Sequence, residues 1–276
     1  MPFDRPARVS CTDDVVSAEV QVSKLTAGRF SGQAQSYARF RPEYPPALYG
    51  FLLRLVPSRE LAWDCGTGSG QAARALACYF ARVVATDISS EQIRYAVAPS
   101  NVSFQVAEAE TSDQFAPASV DLVTAAQAAH WFEPEPFYEA VSAALKPNGV
   151  IAIWGYGFCS ISPEIDAILQ PYGREFLTPY WSERNTIVLE GYRHFPFPFV
   201  RIAAPRFQMR AKWKLAHLKG YLESWSATQA YKLRVGRDPF DAIEASLTSA
   251  WGDPTRSRQI AWELTVLAGK NKTPRA

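Results

Sequence analysis

The stretch that decides the fold reads Leu61-Ala62-Trp63-Asp64-Cys65-Gly66-Thr67-Gly68-Ser69-Gly70. It starts as a short apolar strand, ends in an acid and breaks at once into three glycines at alternate positions. The residues from Gln71 to Ala77 then have the composition of a helix. A strand, a glycine turn and a helix start, in this order, form a nucleotide-sized pocket at the carboxyl end of an α/β sheet, because glycine lets a ligand approach the main chain. The free N–H groups of the helix start are donors for such a ligand.

The spacing of the glycines narrows the kind of nucleotide. A dinucleotide fingerprint places a third glycine where this chain has Gln71. Asp64 also puts a negative charge near the turn, which suits a ligand that carries an amino group or lacks phosphate. The run from Trp63 to Ala73 resembles motif I of the class I S-adenosylmethionine (SAM) dependent methyltransferases. The resemblance implies that SAM is the cofactor and that one acid and three glycines contact it: Asp64, Gly66, Gly68 and Gly70. The alternative is a tight turn that binds nothing.

The second and third strands supply further acids. Asp87 ends the β-rich run from Arg82 and follows Gly66 by 21 positions, a spacing at which an acid can accept both ribose hydroxyls of a nucleoside. Its alternative role is a helix cap, since two serines and a glutamate follow. The residues around Glu108 resemble the acidic third motif of the same family. That resemblance implies that Glu108 faces the adenine amino group and that the Ala109 N–H faces the ring; an ordinary exposed loop acid is the alternative.

The fourth strand, Val120 to Ala126, ends at the same crevice as the first. We therefore expect Gln127 to contact the cofactor. His130 and Trp131 resemble the His-Trp-Phe of trans-aconitate methyltransferase and related plant and bacterial methyltransferases. His130 is the candidate catalytic residue, as a base or as a group that orients an acidic substrate. Alternatively, His130 only supports its loop while Trp131 lines the pocket.

A segment before the first strand has the order Tyr-x-x-x-Arg-Pro-x-Tyr-Pro, starting at Tyr37. This order resembles the N-terminal segment of small-molecule methyltransferases of the trans-aconitate type. The resemblance implies that Tyr37 and Arg41 contact SAM from a lid helix that Pro42 ends. A surface helix packed on the sheet is the alternative.

Residues 158–240 differ in composition from the part of the chain before them, because they contain many aromatic residues and prolines. They contain 12 Lys and Arg residues against seven Asp and Glu residues, whereas the whole chain is only +2. We interpret this region as a cap plus the sixth strand, which together form an apolar pocket with a basic side. Leu218 to Ala227 resembles a segment that lines the substrate pocket of the same family. The expected substrate-binding residues are aromatic: Trp131, Tyr156, Tyr221 and Trp225. The alternative is that the aromatic residues fill the core and the cations are solvated.

Strand and helix patterns alternate through the first half of the chain. They predict an α/β fold, a Rossmann-like, mostly parallel sheet of seven strands with helices on both faces, an N-terminal lid and a cap in the C-terminal half. Two of the helices are expected at Ala47 to Leu55 and Pro136 to Leu145, and a last strand at Ile260 to Gly269 is expected antiparallel to the fifth. The predicted organisation is a variable segment (1–26), a SAM-binding core with the lid helix (27–157), the substrate cap with the sixth strand (158–240), and a final helix and strand of the core sheet (241–276).

Composition bounds the class of protein. At 276 residues and 47% hydrophobic residues, the chain has enough material for a large core. A net charge of +2 is too small for a general nucleic-acid binder, and no apolar run has the length of a membrane span. Four cysteines without metal-like spacing indicate neither a metal site nor a disulfide scaffold. We expect a cytoplasmic protein, a monomer or homodimer, with a small acidic or apolar substrate as its partner.

The sequence thus predicts a SAM-dependent methyltransferase that methylates a small molecule, with the oxygen of a carboxylic acid or hydroxyl as the favoured acceptor. A carboxylate is already ionised and needs only a cation to hold it, which the basic cap supplies. Three alternatives stay open: a phenol, amine or carbon acceptor; a methyltransferase fold that uses SAM as an electrostatic element in a cyclisation or rearrangement; and a nicotinamide oxidoreductase, against which Gln71 already counts.

Overall fold

The structure is a computed structural model, and it describes residues 40–97 and 99–271. The predicted lid helix, Tyr37 and the variable segment 1–26 lie outside the described residues.

A single sheet organises the described chain. Its strands are β1 (Leu61–Cys65), β2 (Arg82–Asp87), β3 (Val102–Val106), β4 (Val120–Ala126), β5 (Leu145–Tyr156), β6 (Val200–Ile202), β7 (Phe207–Trp213) and β8 (Arg258–Lys270). Their order is β3-β2-β1-β4-β5-β8-β6, and β7 also pairs with β8. The first five strands are parallel, whereas β8 runs antiparallel between β5 and the β6/β7 edge. The predicted Rossmann-like α/β fold and the antiparallel last strand are confirmed.

The sixth strand position is interrupted. Val200 pairs with Lys270 in β6, and Phe207 pairs with Leu264 in β7, so the two pieces follow one another along the same edge of β8. The sequence predicts seven strands, whereas the described sheet has eight, because the sixth strand is broken here, where Pro205 removes a backbone donor.

Helices cover both faces of the sheet. They are α1 (Pro46–Leu52), α2 (Gln71–Leu76), α3 (Ser90–Tyr95), α4 (Pro134–Ala144), α5 (Pro163–Pro171), α6 (Glu183–Leu189), α7 (Leu215–Glu223), α8 (Ser226–Val235) and α9 (Glu244–Trp251). One core cluster joins Ala62 and Trp154 to α1, α2, α5, α7 and α9, and the other joins Trp63 and Ile153 to α4 and α6. Because neighbouring strand residues enter different clusters, the two cores lie on opposite faces of the sheet.

Several element boundaries differ from those predicted. The helix expected to reach Leu55 ends at Leu52, and the helix expected at Pro136 to Leu145 spans Pro134–Ala144. The Lys-Pro-Asn-Gly turn at 146–149 belongs to β5 as a bulge opposite β4, and Asn148 has the left-handed φ of 61° that such a turn requires.

The insertion between β5 and α6 comprises residues 157–182 and contains α5. Together with α7 and α8 it provides the aromatic side chains of the predicted cap, many of which join the first core cluster. None of the helices described is long and apolar enough to cross a bilayer. The limits predicted for the individual domains stay a prediction.

Candidate active site

The glycine turn has the conformation that the sequence predicts. Gly66, Gly68 and Gly70 have φ values of 66°, 56° and 83°, in the left-handed region that favours glycine. The Thr67 N–H donates to the Thr86 carbonyl at 2.9 Å and ties the turn to the end of β2. The turn therefore lies across the carboxyl ends of β1 and β2.

Asp64 lies beneath this turn with no exposed surface. Its carboxylate accepts hydrogen bonds from the hydroxyls of Thr67 (2.6 Å) and Thr124 (2.7 Å). Burial raises the pKa of the Asp64 carboxyl to about 6, although both hydrogen bonds act in the opposite direction. Sequence reasoning missed Thr124, although it is the residue paired with Asp64 in the β1–β4 register.

Asp87 is joined directly to the turn. One carboxylate oxygen accepts from the Gly68 N–H at 2.8 Å, and the other accepts from the Ser89 N–H at 2.9 Å. Burial raises the pKa of Asp87, against these two hydrogen bonds. The cap of α3 is Ser89, whose hydroxyl accepts from the Gln92 N–H. The capping role that the sequence left open for Asp87 therefore belongs to Ser89, and the Asp87 carboxylate stays beside the turn.

The three glycines meet different surroundings. A Cβ at Gly66 would lie 2.6 Å from the Ala128 Cβ, and one at Gly70 would lie 2.8 Å from the Phe104 ring. Among the described residues other than its chain neighbours, the nearest atom to a Cβ at Gly68 would be in the Gln92 side chain, at 3.9 Å. Packing therefore explains two of the glycines, whereas the described residues leave room for a Cβ at Gly68. This cradle fits a nucleoside that lies against the main chain.

Gln127 has a φ of 55°, which is unusual for a residue with a side chain. Its amide group is engaged with Tyr156, because the Tyr156 N–H donates to Oε1 at 2.9 Å and Nε2 donates to the Tyr156 carbonyl at 3.1 Å. The contact between Gln127 and the cofactor stays a prediction, while the structure gives this side chain a clear second task.

His130 is buried, with 2% of its surface exposed. Its Nδ1 lies 3.2 Å from the Tyr192 hydroxyl. Burial, together with the positive charge of Arg184, lowers the pKa of His130 to about 3, so the ring is neutral at physiological pH. Catalysis by His130 stays a prediction. The alternative role, in which His130 only supports its loop, is consistent with the contact between His130 and Tyr192.

Arg41 reaches the end of β5 and the cap. It donates to the Tyr156 hydroxyl at 3.2 Å and to the Ser224 carbonyl at 3.3 Å, and its guanidinium lies 5.2 Å from the centre of the Tyr221 ring. The next residue, Pro42, accepts a hydrogen bond from Gln71 at 2.8 Å. The segment that carries Arg41 thus runs from the glycine turn to the cap.

The predicted substrate residues fall into two groups. Tyr156, Tyr221 and Trp225 are buried in one core cluster, where the centroids of the Tyr221 and Trp225 rings are 5.7 Å apart. Trp131 is half-buried in the loop after β4. Arg41 is the residue that joins the first group to the cofactor turn.

The acidic third motif is the least enclosed of the predicted cofactor contacts. Glu108 is exposed and Ala109 is buried just past the end of β3. Within the described ranges, no three His, Cys, Asp or Glu side chains lie close enough to hold a metal ion.

Comparisons with known proteins decide the family. A family model described as a methyltransferase domain matches residues 63–153. A protein of Dictyostelium discoideum named as a methyltransferase is 32% identical over 227 residues, which cover 81% of this chain and 86% of the relative. This chain belongs to the class I SAM-dependent methyltransferases.

Two further methyltransferases support that membership. A solved structure from Anaeromyxobacter dehalogenans, described as a type II methyltransferase, is 39% identical and superposes with a TM-score of 0.79 over 84% of this chain and 99% of that one. CRG1 of Saccharomyces cerevisiae, named as a SAM-dependent methyltransferase, is 28% identical over 173 residues, covering 58% of this chain and 59% of the relative. The predicted methyltransferase class and the SAM cofactor are confirmed, whereas the contacts predicted between the cofactor and individual residues stay a prediction.

Proposed function

We propose that this methyltransferase transfers the methyl group of SAM to an oxygen of a small carboxylic acid. The observation that carries the proposal is the enclosure of His130, the candidate base, which is 2% exposed and has its Nδ1 3.2 Å from the Tyr192 hydroxyl. A neutral ring with a pKa of about 3 is too weak to deprotonate a phenol or alcohol at neutral pH. A carboxylic acid is ionised without help, so its oxygen needs orientation only.

The cofactor side of the proposal uses the glycine turn and the half-buried Asp87 beside it. When bound, SAM supplies a methyl group on a sulfonium, an electrophile that needs no activation by the protein. Gly68 would admit the nucleoside to the main chain, and Asp87 would accept the ribose hydroxyls with its remaining lone pairs. Glu108 and the Ala109 N–H would face the adenine.

Arg41 is proposed to hold the amino-acid carboxylate of the cofactor. Its guanidinium is already fixed by the Tyr156 hydroxyl and the Ser224 carbonyl, so little entropy is lost when an anion binds. Arg41→Ala should weaken the binding of S-adenosylhomocysteine at least about tenfold, as the loss of a hydrogen bond to a charged group predicts, whereas Tyr156→Phe should change it much less. If calorimetry shows unchanged affinity for S-adenosylhomocysteine in Arg41→Ala, Arg41 does not bind the cofactor and would be assigned to the acceptor instead.

The acceptor side lies between the loop after β4 and the cap. Trp131, which is half-buried, offers aromatic surface and favours an acceptor with an apolar body, whereas Tyr156, Tyr221 and Trp225 are buried in the core cluster of the cap. Residues 158–240, with 12 Lys and Arg residues against seven Asp and Glu residues, provide the positive field that attracts an acid. A small molecule is accordingly the proposed partner, in place of a nucleic acid or a membrane; the monomeric or homodimeric state and the cytoplasmic location stay predictions.

The test is a methyl-transfer assay with labelled SAM and matched acceptors. Each acid of a panel of aromatic and aliphatic carboxylic acids is paired with its alcohol and its amide, so that only the acceptor group changes. We expect label in a base-labile ester and one S-adenosylhomocysteine per ester, for acids only. Transfer to the alcohols alone would overturn the choice of acceptor. A rearranged product without S-adenosylhomocysteine would instead support the role of SAM as an electrostatic element.

A further inference from the structure

The loop after β4, residues 127–133, carries His130 and Trp131, and it is tied to the start of the 157–182 insertion. Gln127 makes two hydrogen bonds to the backbone of Tyr156, the last residue of β5. Both ends of the Gln127 amide are used on this one residue. The backbone of Gln127 accepts a left-handed φ of 55° to make the contact, and strain of this kind persists only where surrounding interactions hold it.

The same loop is tied to the far end of the insertion by Arg184. Arg184 lies in the first turn of α6, two residues after the insertion ends. Its guanidinium donates to the carbonyls of Trp131 (2.6 Å) and Phe132 (3.2 Å), and it pairs with the carboxylate of Glu133. These carbonyls lie at the end of the 3₁₀ turn Ala129–Trp131, where a cation is favourable.

We propose that Gln127 and Arg184 are positioning residues for methyl transfer, which fix the two flanks of the 157–182 insertion, Tyr156 and the start of α6, on the loop after β4. Neither side chain has to touch the acceptor for this role. The insertion supplies aromatic walls such as Trp181, whose ring centroid lies 5.6 Å from that of Trp225. The two clamps therefore set the distance between that aromatic surface and the loop that carries Trp131.

The chemistry of the two side chains fits this task. A guanidinium can donate to two carbonyls and a carboxylate at once, and a lysine ammonium at the same place lacks this planar fork. Arg184 also lines a cavity of about 260 Å³ together with Ile187 and Phe195, so a small cation from solvent can reach its position. The inference concerns the geometry of the loop, and it holds for any acceptor.

The test is hydrogen exchange measured by mass spectrometry on the full chain. Arg184→Ala and Gln127→Asn should each speed the exchange of amides in 127–133 and 157–182 about tenfold or more, as the loss of such a bond predicts. Amides of β1 and β2 should change less than twofold. The control Arg174→Ala removes an exposed arginine of the insertion that makes no contact to the loop, and it should leave loop exchange unchanged.

Two further variants separate positioning from general stability. Glu133→Gln keeps the two carbonyl contacts of Arg184 and should have a small effect, and methylguanidinium added at millimolar concentration should restore protection in Arg184→Ala but change nothing in Arg174→Ala. Exchange that rises throughout the sheet, or a loop whose exchange does not change in either variant, would overturn the proposal.

The catalytic consequence is measured with the acid that the assay above identifies. Arg184→Ala should lower kcat at saturating SAM at least about tenfold, since misplacement of reacting groups is costly, while the Kd of S-adenosylhomocysteine stays within twofold. The kcat of Arg184→Lys should lie between that of Arg184→Ala and that of the native protein. An equal loss in kcat and cofactor binding would contradict the positioning role. Because the exchange experiment needs no acceptor, it decides this inference even if the acid panel yields none.

Discussion

Asp64 has a protonation equilibrium that sets part of the stability of the folded chain. Burial raises the pKa of Asp64 to about 6, whereas in the unfolded chain the pKa of this carboxyl is near its ordinary value of 3.8. An acid whose pKa is raised on folding destabilises the native state once it ionises, so stability falls as pH rises from about 4 to 6. Two units correspond to roughly 3 kcal/mol as an upper limit.

Asp64→Asn should therefore be more stable than the native sequence at neutral pH by up to roughly 3 kcal/mol. The asparagine keeps an acceptor for one of the hydroxyls of Thr67 and Thr124 and removes the buried charge. Near pH 4 the two proteins should be equally stable, since Asp64 is then protonated. Urea unfolding at the two pH values measures this; the same difference at both would show that ionisation of Asp64 is not its source.

Gly68 and Gly70 form a matched pair of positions in the turn. Gly68→Ala adds a Cβ for which the described residues leave room, at a cost of about 1 kcal/mol for the left-handed φ, so the protein should fold and bind S-adenosylhomocysteine at least about tenfold more weakly. Gly70→Ala pushes against the Phe104 ring at 2.8 Å and should lose more stability. Calorimetry and thermal unfolding separate the two effects. If Gly68→Ala binds S-adenosylhomocysteine with unchanged affinity, the nucleoside does not lie against this turn.

At the level of the elements, Gly220 is an unusual residue in the middle of α7. A glycine there costs about 1 kcal/mol of helix stability relative to alanine. Its place is explained by Phe40, because a Cβ at Gly220 would lie 2.6 Å from that ring. His217, one turn earlier, also contacts Phe40, with ring centroids 5.1 Å apart. The groove on α7 thus seats the residue next to Arg41.

Alanine at Gly220 should have opposite effects in two backgrounds. With Phe40 present, Gly220→Ala displaces the ring and should destabilise the protein. In Phe40→Ala, the same change meets no ring and should stabilise it by about 1 kcal/mol through helix propensity. A double-mutant cycle by urea unfolding measures the coupling. Additive effects of one sign would show that Phe40 does not occupy the groove.

The elements that sequence reasoning placed well are those specified by neighbours in the chain. The fourth strand and the glycine turn follow from runs of adjacent residues, and Asp87 follows from its spacing. Arg184 was missed because its partners lie 51 to 53 positions earlier and its helix has no distinctive motif. The break between β6 and β7 was not predicted for a similar reason, since it depends on the pairing of both strands with β8, which is distant in the sequence.

Contacts of the predicted site residues show the same division. The sequence predicted that Arg41 and Gln127 belong to the site, from the order of residues around them. It did not predict that both side chains form hydrogen bonds with Tyr156, because Arg41 and Gln127 precede Tyr156 by 115 and 29 positions in the chain. A motif specifies which residue types are present, whereas the choice of partner depends on how the sheet and cap pack.

Across the whole molecule, the two ends of the parallel strands carry buried aspartates of opposite character. Asp64 lies at the carboxyl ends, beside the site. Asp121 lies at the amino end of β4 and accepts hydrogen bonds from Lys146 (2.8 Å), from the Ser58 hydroxyl and from two N–H groups at the start of β1. Burial alone would raise the pKa of Asp121, but these donors outweigh it and hold the pKa below its ordinary value.

Lys146→Met tests whether the two ends are independent. It leaves a carboxylate with no exposed surface without its cation, which should cost roughly 3 kcal/mol of stability. That loss should shrink at pH below about 4, because Asp121 stabilises the fold only while it is ionised. The Kd of S-adenosylhomocysteine for the folded protein should stay unchanged, since the pair lies at the end of the strands opposite the turn. Urea unfolding and calorimetry on one preparation measure both quantities. A cofactor affinity that falls with stability would mean that strain at the amino ends reaches Gly68 through β1, and the separation of stability from binding would then be wrong.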